Sequence, residues 1–462
     1  MMFKTAIFLF RRDLRLPDNT GLLRALHESE QVIPCFFVDP RQVGNKNGYR
    51  TMNGIQFMVE SLADLEEQLK KHGGRLYFFY GQADRALKTI IRDTGADAVF
   101  CNRDYTPFSI QRDEDLEHEC RLAGVTFTQC NDALLNEPEN IATSDGTPYQ
   151  TFTPFFNKAC KVAVAEPSPF PHGSWYTQPI VSACASKELY KKIVSKKNRT
   201  LHVSGGRAHG EKILKSLKKF ERYAIERDIP SKETTHLSAH LKFGVVSPRE
   251  VYHAIKKTLG TKHPLIVQLY WRDFFTHVAF HSPFVFGRAG DGKYDAIHWN
   301  YNKKRFKAWC DGKTGVPIVD AGMRQLNATG FMPNRVRMII ASYLVKDLFI
   351  DWRWGEQYFA KKLVDYDPAV NNGNWQWVAS TGTCCQPYFR IFNPWLQQKK
   401  FDPDATYIKT WVPELRRVNP RKLHTIPEQA EPVSKNYPLP LVDHDKTSKR
   451  AKELFRRASV TI

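Results

Sequence analysis

The chain has 462 residues, enough for two or three domains, and its 42% hydrophobic content allows real cores, which excludes a disordered polypeptide. Its formal net charge of +20 is unevenly placed: residues 1–150 hold 17 Lys and Arg against 22 Asp and Glu, whereas 151–462 hold 51 against 26. A basic excess interleaved with Trp, Tyr and Phe suits a polyanion, because cationic side chains bind phosphates with counterion release and aromatic rings stack on bases, so nucleic acid is the first expected partner. Nine cysteines, an odd number with no C-x-x-C, argue against a disulfide framework or zinc site and for a reducing compartment. The apolar run in MMFKTAIFLFRRDLR is too short for a signal peptide and no later stretch approaches a membrane span. The expected location is cytoplasmic, at the nucleoid, or nuclear in a eukaryotic source.

Short apolar runs at 4–10, 31–38, 75–80 and 97–101 alternate with helical patterns such as GIQFMVESLADLEEQLKKHGG, which closes on lysines and glycines as a helix C-terminus does. That alternation predicts a parallel, Rossmann-like α/β sheet over residues 1–130. No G-x-G-x-x-G follows the first strand, so an ordinary dinucleotide site is not expected there. From 131 to 200 the periodicity fades into Pro, Ser and Lys clusters, the pattern of an interdomain connector. Helical patterns then dominate to about 375, and the Pro- and Lys-rich end is read as completing an all-α domain over 201–462.

Within that domain, Thr234-Thr235-His236-Leu237-Ser238 places three hydroxyls where a helix can begin, an arrangement that serves as an N-cap or as a phosphate site. Val267 to Phe275 reads as a helix with Gln268, Trp271, Arg272 and Phe275 near one face, which alone fits core packing with a snorkelling cation. Asn334 and Met338 are i, i+4 partners on a later helix. Asp365 to Trp377 holds two acids, an Asn pair, a Gly and two Trp, with almost no aliphatic residue. Asp-Pro and Asn-Asn suit a turn leading into a helix whose first turn contains Pro368. Something planar with a polar edge fits such a place. Residue by residue, the alternative remains that Trp375 and Trp377 are packing anchors and Asp365 and Asp367 are caps.

As a unit, DYDPAVNNGNWQWVASTGTCCQPYFRIFNP, residues 365–394, resembles the flavin-binding heart of the DNA photolyase/cryptochrome family. Phe10 to Arg15 resembles the family's opening strand and loop, and Asn102 to Tyr105 a later one. The resemblance is closest to the class I cyclobutane pyrimidine dimer photolyases and implies FAD as cofactor. It places Thr234, Thr235, His236, Leu237 and Ser238 at the flavin pyrophosphate, with Tyr223 and Trp271 touching the flavin. Arg337 is implied to pair with Asp365, beside Tyr366, with Asp367 accepting from the isoalloxazine ring and Asn371 opposite its N5. Trp375, Trp352 and Trp299 match the family's electron-transfer chain. Gln268, Trp271, Arg272, Phe275, Asn334, Arg335, Met338 and Trp377 match its cavity for lesion and DNA.

Three departures qualify the match. Gln268 stands where the cyclobutane-dimer enzymes usually have Glu, as in (6-4) photolyases, yet Asn334 and Met338 stand where (6-4) photolyases have two His, and Pro333 where a His is common. Neither Asn nor Met supplies the proton that (6-4) repair needs. Phe108 and Ser109 replace the Asn-Glu pair of the folate-antenna branch, while Asp104 resembles deazaflavin- or flavin-antenna branches and is equally read as a turn residue. The implied function is light-driven splitting of cyclobutane dimers in double-stranded DNA by a monomer. The alternatives are a (6-4) photolyase, a cryptochrome photoreceptor, and a flavin-less nucleic-acid-binding module.

Overall fold

Five parallel strands make the N-terminal sheet: β1 Phe3–Phe10, β2 Ser29–Val38, β3 Tyr77–Tyr80, β4 Ala98–Asn102 and β5 Thr126–Cys130, in the order β3-β2-β1-β4-β5. They come from a computed structural model that describes residues 2–170, 172–429 and 431–460. β1 lies between β2 and β4, with Ile7 opposite both Ile33 and Val99, and Ala6 to Phe10 are buried on both faces. This is the burial that a continuous apolar run specifies in a parallel sheet covered by helices. β5 has no such run: TFTQC alternates polar and apolar at the sheet edge and only Cys130 is buried, so it escaped the sequence reading. The order reverses at β1, which brings the loops after β1 and β4 together at the carboxyl edge, where Arg12 and Asp104 stand.

The connector is adherent rather than free. It forms short helices at Phe152–Ala159 and Ser186–Ile193 and touches the sheet by isolated bridges at Val32 with Trp175 and Phe78 with Cys184.

The rest is helical. Helices open on Pro248, Pro264, Pro317, Pro368, Pro394 and Pro420, each in the first turn, where the missing N–H is not needed. The largest core gathers the helices Pro317–Thr329, Asn334–Ser342, Trp352–Lys362 and Pro368–Ala379, and the last helix, His444–Val460, returns to it through Ala451 and Phe455. The two halves share apolar packing: Ala239, Phe243, Val245 and Val364 belong to the cluster that covers one face of the sheet. At the seam Gly244 has φ +61°, and a Cβ there would lie 2.1 Å from the Arg12 carbonyl oxygen, so only glycine lets the helical domain pass beneath the β1 loop. Among the described residues no helix is long and apolar enough to cross a membrane.

Candidate active site

The motif at 365–377 is a loop feeding the helix Pro368–Ala379. Asp367 is the N-cap: its Oδ1 accepts from the Val370 amide at 3.2 Å, while its Oδ2 pairs with the Arg12 guanidinium from the other domain. Arg12 also donates to Asp104 Oδ1 at 3.1 Å and to the Lys242 carbonyl at 3.2 Å. Burial raises the Asp367 carboxyl, but the charges of Arg12, Lys242 and Arg272 outweigh it and hold the group below its ordinary value. Asp104 is likewise raised by burial and more strongly lowered by Arg12 and Arg112. Lys242 bears the counterpart strain: burial, then Arg12, bring its ammonium down to about 7. Asp104 accepts further from Ser109 Oγ at 3.0 Å and from the Tyr105 amide, so it holds the turn after β4 and an ion pair to Arg12 within its own domain.

Two residues before Asp367, Asp365 joins two other elements. Arg337, on the helix Asn334–Ser342, donates to it at 3.0 Å, and the Ser238 hydroxyl donates at 2.7 Å. Ser238 belongs to the short helix Leu237–Lys242, which begins where the hydroxyl cluster predicted. His236 caps it with a left-handed φ of 52° and lies 3.2 Å from His202; burial and that neighbour lower its imidazole to about 4, so it is neutral at working pH. Thr234 and Thr235 are half-buried in the extended segment just ahead, and Tyr223 is partly buried near His263.

The Asn pair divides its work. Asn372 Nδ2 donates to the Val285 carbonyl at 3.0 Å and fastens a loop. Asn371 Nδ2 donates to the Glu356 carbonyl at 3.1 Å and to its Oε1 at 2.9 Å, which turns Asn371 Oδ1 away from the helix Trp352–Lys362; Oδ1 accepts from none of the described residues. Burial raises the Glu356 carboxyl to about 7, against the opposing bonds from Asn371 and Tyr49. Sequence reasoning missed Glu356; the available signal was an acid among aromatics in WRWGEQYF. Tyr366 stacks on Tyr49 with ring centroids 6.3 Å apart.

On the other side stand the residues expected to line the lesion cavity. Gln268 is half-buried, its amide 3.5 Å from the Pro264 carbonyl. Asn334 is exposed with Nδ2 3.6 Å from the Met338 sulfur, as the i, i+4 spacing required. Arg335 pairs with Asp228 at 2.8 Å and covers the Phe401 ring. Trp377 is half-buried against the main core. Phe152, from the connector, stacks on Trp271 with centroids 3.6 Å apart and planes 7° from parallel, and Phe274 and Phe275 border the same indole at 5.8 and 5.5 Å.

Two further residues expected at this cavity make close contacts elsewhere. Arg272 donates to the Ala133 carbonyl at 2.6 Å and shares the buried cluster of Arg12 and Asp367, so it faces the domain seam rather than the cavity. Phe275 is buried where helices Pro264–His281 and Pro368–Ala379 meet, and a Cβ on Gly373 would lie 2.1 Å from its ring, so it is a packing residue.

The three Trp lie around one segment. Trp375 rests on the helix that starts at Trp352, against Gly355, where a Cβ would come within 2.2 Å of the indole. Trp299 packs on Phe349 at 5.3 Å, and the next residue, Asn300, bonds the Phe349 carbonyl. All three indoles are buried, Trp299 beneath Phe455 of the last helix.

Comparison with known proteins identifies the family. Residues 6–172 match the model described as DNA photolyase, and residues 265–457 that described as the FAD binding domain of DNA photolyase. The deoxyribodipyrimidine photo-lyase of Agrobacterium fabrum is 39% identical over 477 aligned residues, covering 98% of each chain. The chain belongs to the DNA photolyase family. Among solved structures, an archaeal photolyase from Sulfolobus tokodaii with two FAD molecules is 43% identical with a TM-score of 0.89, covering 98% of this chain and 100% of that one. A class III photolyase from Agrobacterium tumefaciens is 36% identical with a TM-score of 0.91, covering 100% and 99%. The donor set suits the family's cofactor chemically: Asp367 held as a carboxylate, an Arg337–Asp365 pair joined by the Ser238 hydroxyl at a helix start, and an Asn371 carbonyl oxygen.

Proposed function

We propose that this photolyase splits cyclobutane pyrimidine dimers in double-stranded DNA, using light and FAD. The observation that carries the preference for this lesion is chemical: Gln268, Asn334 and Met338, on the helices flanking the cavity, include no group that titrates near neutral pH, so nothing there is suited to the acid step of (6-4) repair. Bound FAD supplies the photoexcited electron. The protein's own groups do the rest. Arg337 and Asp365, with Ser238, hold one end of the cofactor; Asp367 accepts from its ring edge; Asn371 offers Oδ1. Trp271 and Trp377 flank an extruded dimer, while the Gln268 amide bonds a thymine edge. The basic balance of 151–462 supports binding to the duplex backbone. Trp375, Trp352 and Trp299 carry electrons in from the surface side. A flavin-type second chromophore is favoured by the neighbour with two FAD molecules. The protein acts as a monomer in the compartment that holds the chromosome.

The test is repair by chemically reduced enzyme of two duplexes, one with a cyclobutane thymine dimer and one with a (6-4) product, in blue light and in darkness. Light-dependent repair of the first alone is expected. Repair of the second would overturn the weight given to Asn334 and Met338, and repair of neither by flavin-loaded protein would favour a photoreceptor.

A further inference from the structure

Glu356 is reached from both domains. From the flavin side the Asn371 amide spends its hydrogens on the Glu356 carbonyl and carboxyl, at 3.1 and 2.9 Å. From the N-terminal domain the Tyr49 hydroxyl lies against the same carboxyl. The loop carrying Tyr49 is fastened to the C-terminal end of the Glu356 helix: Thr51 Oγ1 donates to the Leu363 carbonyl at 2.8 Å, and Asn53 Nδ2 to the Lys362 carbonyl at 2.6 Å. The Tyr49 ring stacks on Tyr366, and Asn47 Oδ1 holds its amide at 2.9 Å. Glu356 is 4% exposed whereas Tyr49 is 39% exposed, so the phenol stands between water and a buried acid.

We propose that Tyr49 is a positioning residue for the flavin pocket: it holds the Glu356 carboxyl, which holds the Asn371 amide with its oxygen toward the pocket, so that domain docking sets the polarity there. The inference rests on Asn371 being the residue beside the flavin's N5. Burial, then the Glu356 charge, raise the Tyr49 phenol to about 12, so it remains a donor at every working pH. Glu356, near 7, is half-protonated at neutrality, and its field comes from Asn371 and Tyr49, with Tyr366 the other titratable group beside it. As a carboxylate it accepts from Asn371 and keeps Oδ1 facing the pocket. Once protonated it can donate to Oδ1 instead, which presents the amide hydrogens to the pocket.

The experiment uses FAD-loaded enzyme, with flavin content and circular dichroism confirming folding of each variant. The Glu356 carboxyl is followed by its infrared C=O band as a function of pH, and the flavin by its absorption spectrum across the same range. Glu356→Gln identifies the band by abolishing it, and keeps an acceptor for Asn371, so its flavin spectrum becomes independent of pH near 7. Tyr49→Phe, which removes one donor, moves the carboxyl midpoint upward by roughly one pH unit, the size of one hydrogen bond, and moves the flavin's midpoint with it. A carboxyl midpoint unchanged in Tyr49→Phe overturns the proposal. So does a carboxyl that moves while the flavin does not follow. Asn371→Asp separates the two ideas: if it alters the flavin spectrum while Tyr49→Phe does not, the placement of Asn371 stands and the role of Tyr49 falls. If it leaves the spectrum unchanged, the placement falls, and the proposal with it.

Discussion

Replacing Arg12 by Met removes the one cation that touches both Asp104 and Asp367 across the domain seam. The pairs are largely sheltered, with side-chain exposures of 21% for Arg12, 12% for Asp104 and 11% for Asp367. At such separations a unit-charge pair is worth roughly 4 kcal/mol at an effective dielectric near 20, and the methionine no longer carries the cost of burying a guanidinium. Lys242 recovers part of the remainder. After burial, Arg12 is the largest influence lowering its ammonium to about 7, and with Arg12 gone the facing Asp367 and Asp104 raise it. The net loss is about 3 kcal/mol at pH 7. The pH dependence follows from Lys242. In the wild type its pKa is depressed in the folded state, so the unfolded chain binds more protons between about 7 and 10.5 and stability rises with pH there. In Arg12→Met that rise is lost, and the gap between the proteins widens from pH 7 to pH 9 by up to roughly 2 kcal/mol. Urea unfolding at several pH values, followed by Trp fluorescence and circular dichroism, measures both quantities. A gap under about 1 kcal/mol at pH 7, or one constant with pH, would refute the account of this cluster.

Glu356→Gln should be most informative as a stability profile. The carboxyl's pKa is raised from 4.5 to about 7, so its stabilisation is present below about 4.5 and lost as pH rises toward 7; the variant lacks this slope, worth on the order of 3 kcal/mol in total, in urea titrations between pH 4.5 and 7.5. Trp299→Phe should slow light-driven flavin reduction while sparing repair by enzyme already reduced, as single-turnover absorbance will show; loss of both means the indole only packs. Phe455→Ala empties a fully buried site against Trp299 and Tyr294, costing about 3–5 kcal/mol, and should raise acrylamide quenching of Trp299 measured against a Trp299→Phe control.

What was legible in the chain was what neighbours in sequence can encode. Strands β1 to β4, the edge strand β3 included, announce themselves as apolar runs because their side chains are almost all buried, and Asp367-Pro368 announces a helix start because its cap and first turn are consecutive. Ser238 could be placed at a helix beginning for the same reason. Arg12 could not be assigned a partner 355 residues away, since the meeting depends on strand order and on Gly244 letting the domains close. Arg272 was read as facing the cavity because one helical face spans roughly a third of the circumference, too coarse to separate it from Gln268. Glu356 and Tyr49 carry no motif; only the fold makes them neighbours.

The charges of the site are distributed by what each wall must do. Arg12, Lys242, Arg272, Asp104 and Asp367 form one buried set at the domain seam, and Arg337 with Asp365 another, so on the cofactor placement proposed above fixed charge gathers beside the FAD. On the wall proposed for the lesion, the groups at Gln268, Asn334 and Met338 are neutral at any working pH. An electron that goes out and returns leaves no net proton to deliver, and a titrating group on that wall would offer the transient radical a competing proton transfer. Arg12, from the β1 loop, supplies the direct ion pair that joins Asp104 of its own domain to Asp367 of the helical one. Asp367 keeps Lys242 and Arg272 as further countercharges from its own domain, so the Arg12 pair adds to a carboxylate already stabilised as an anion.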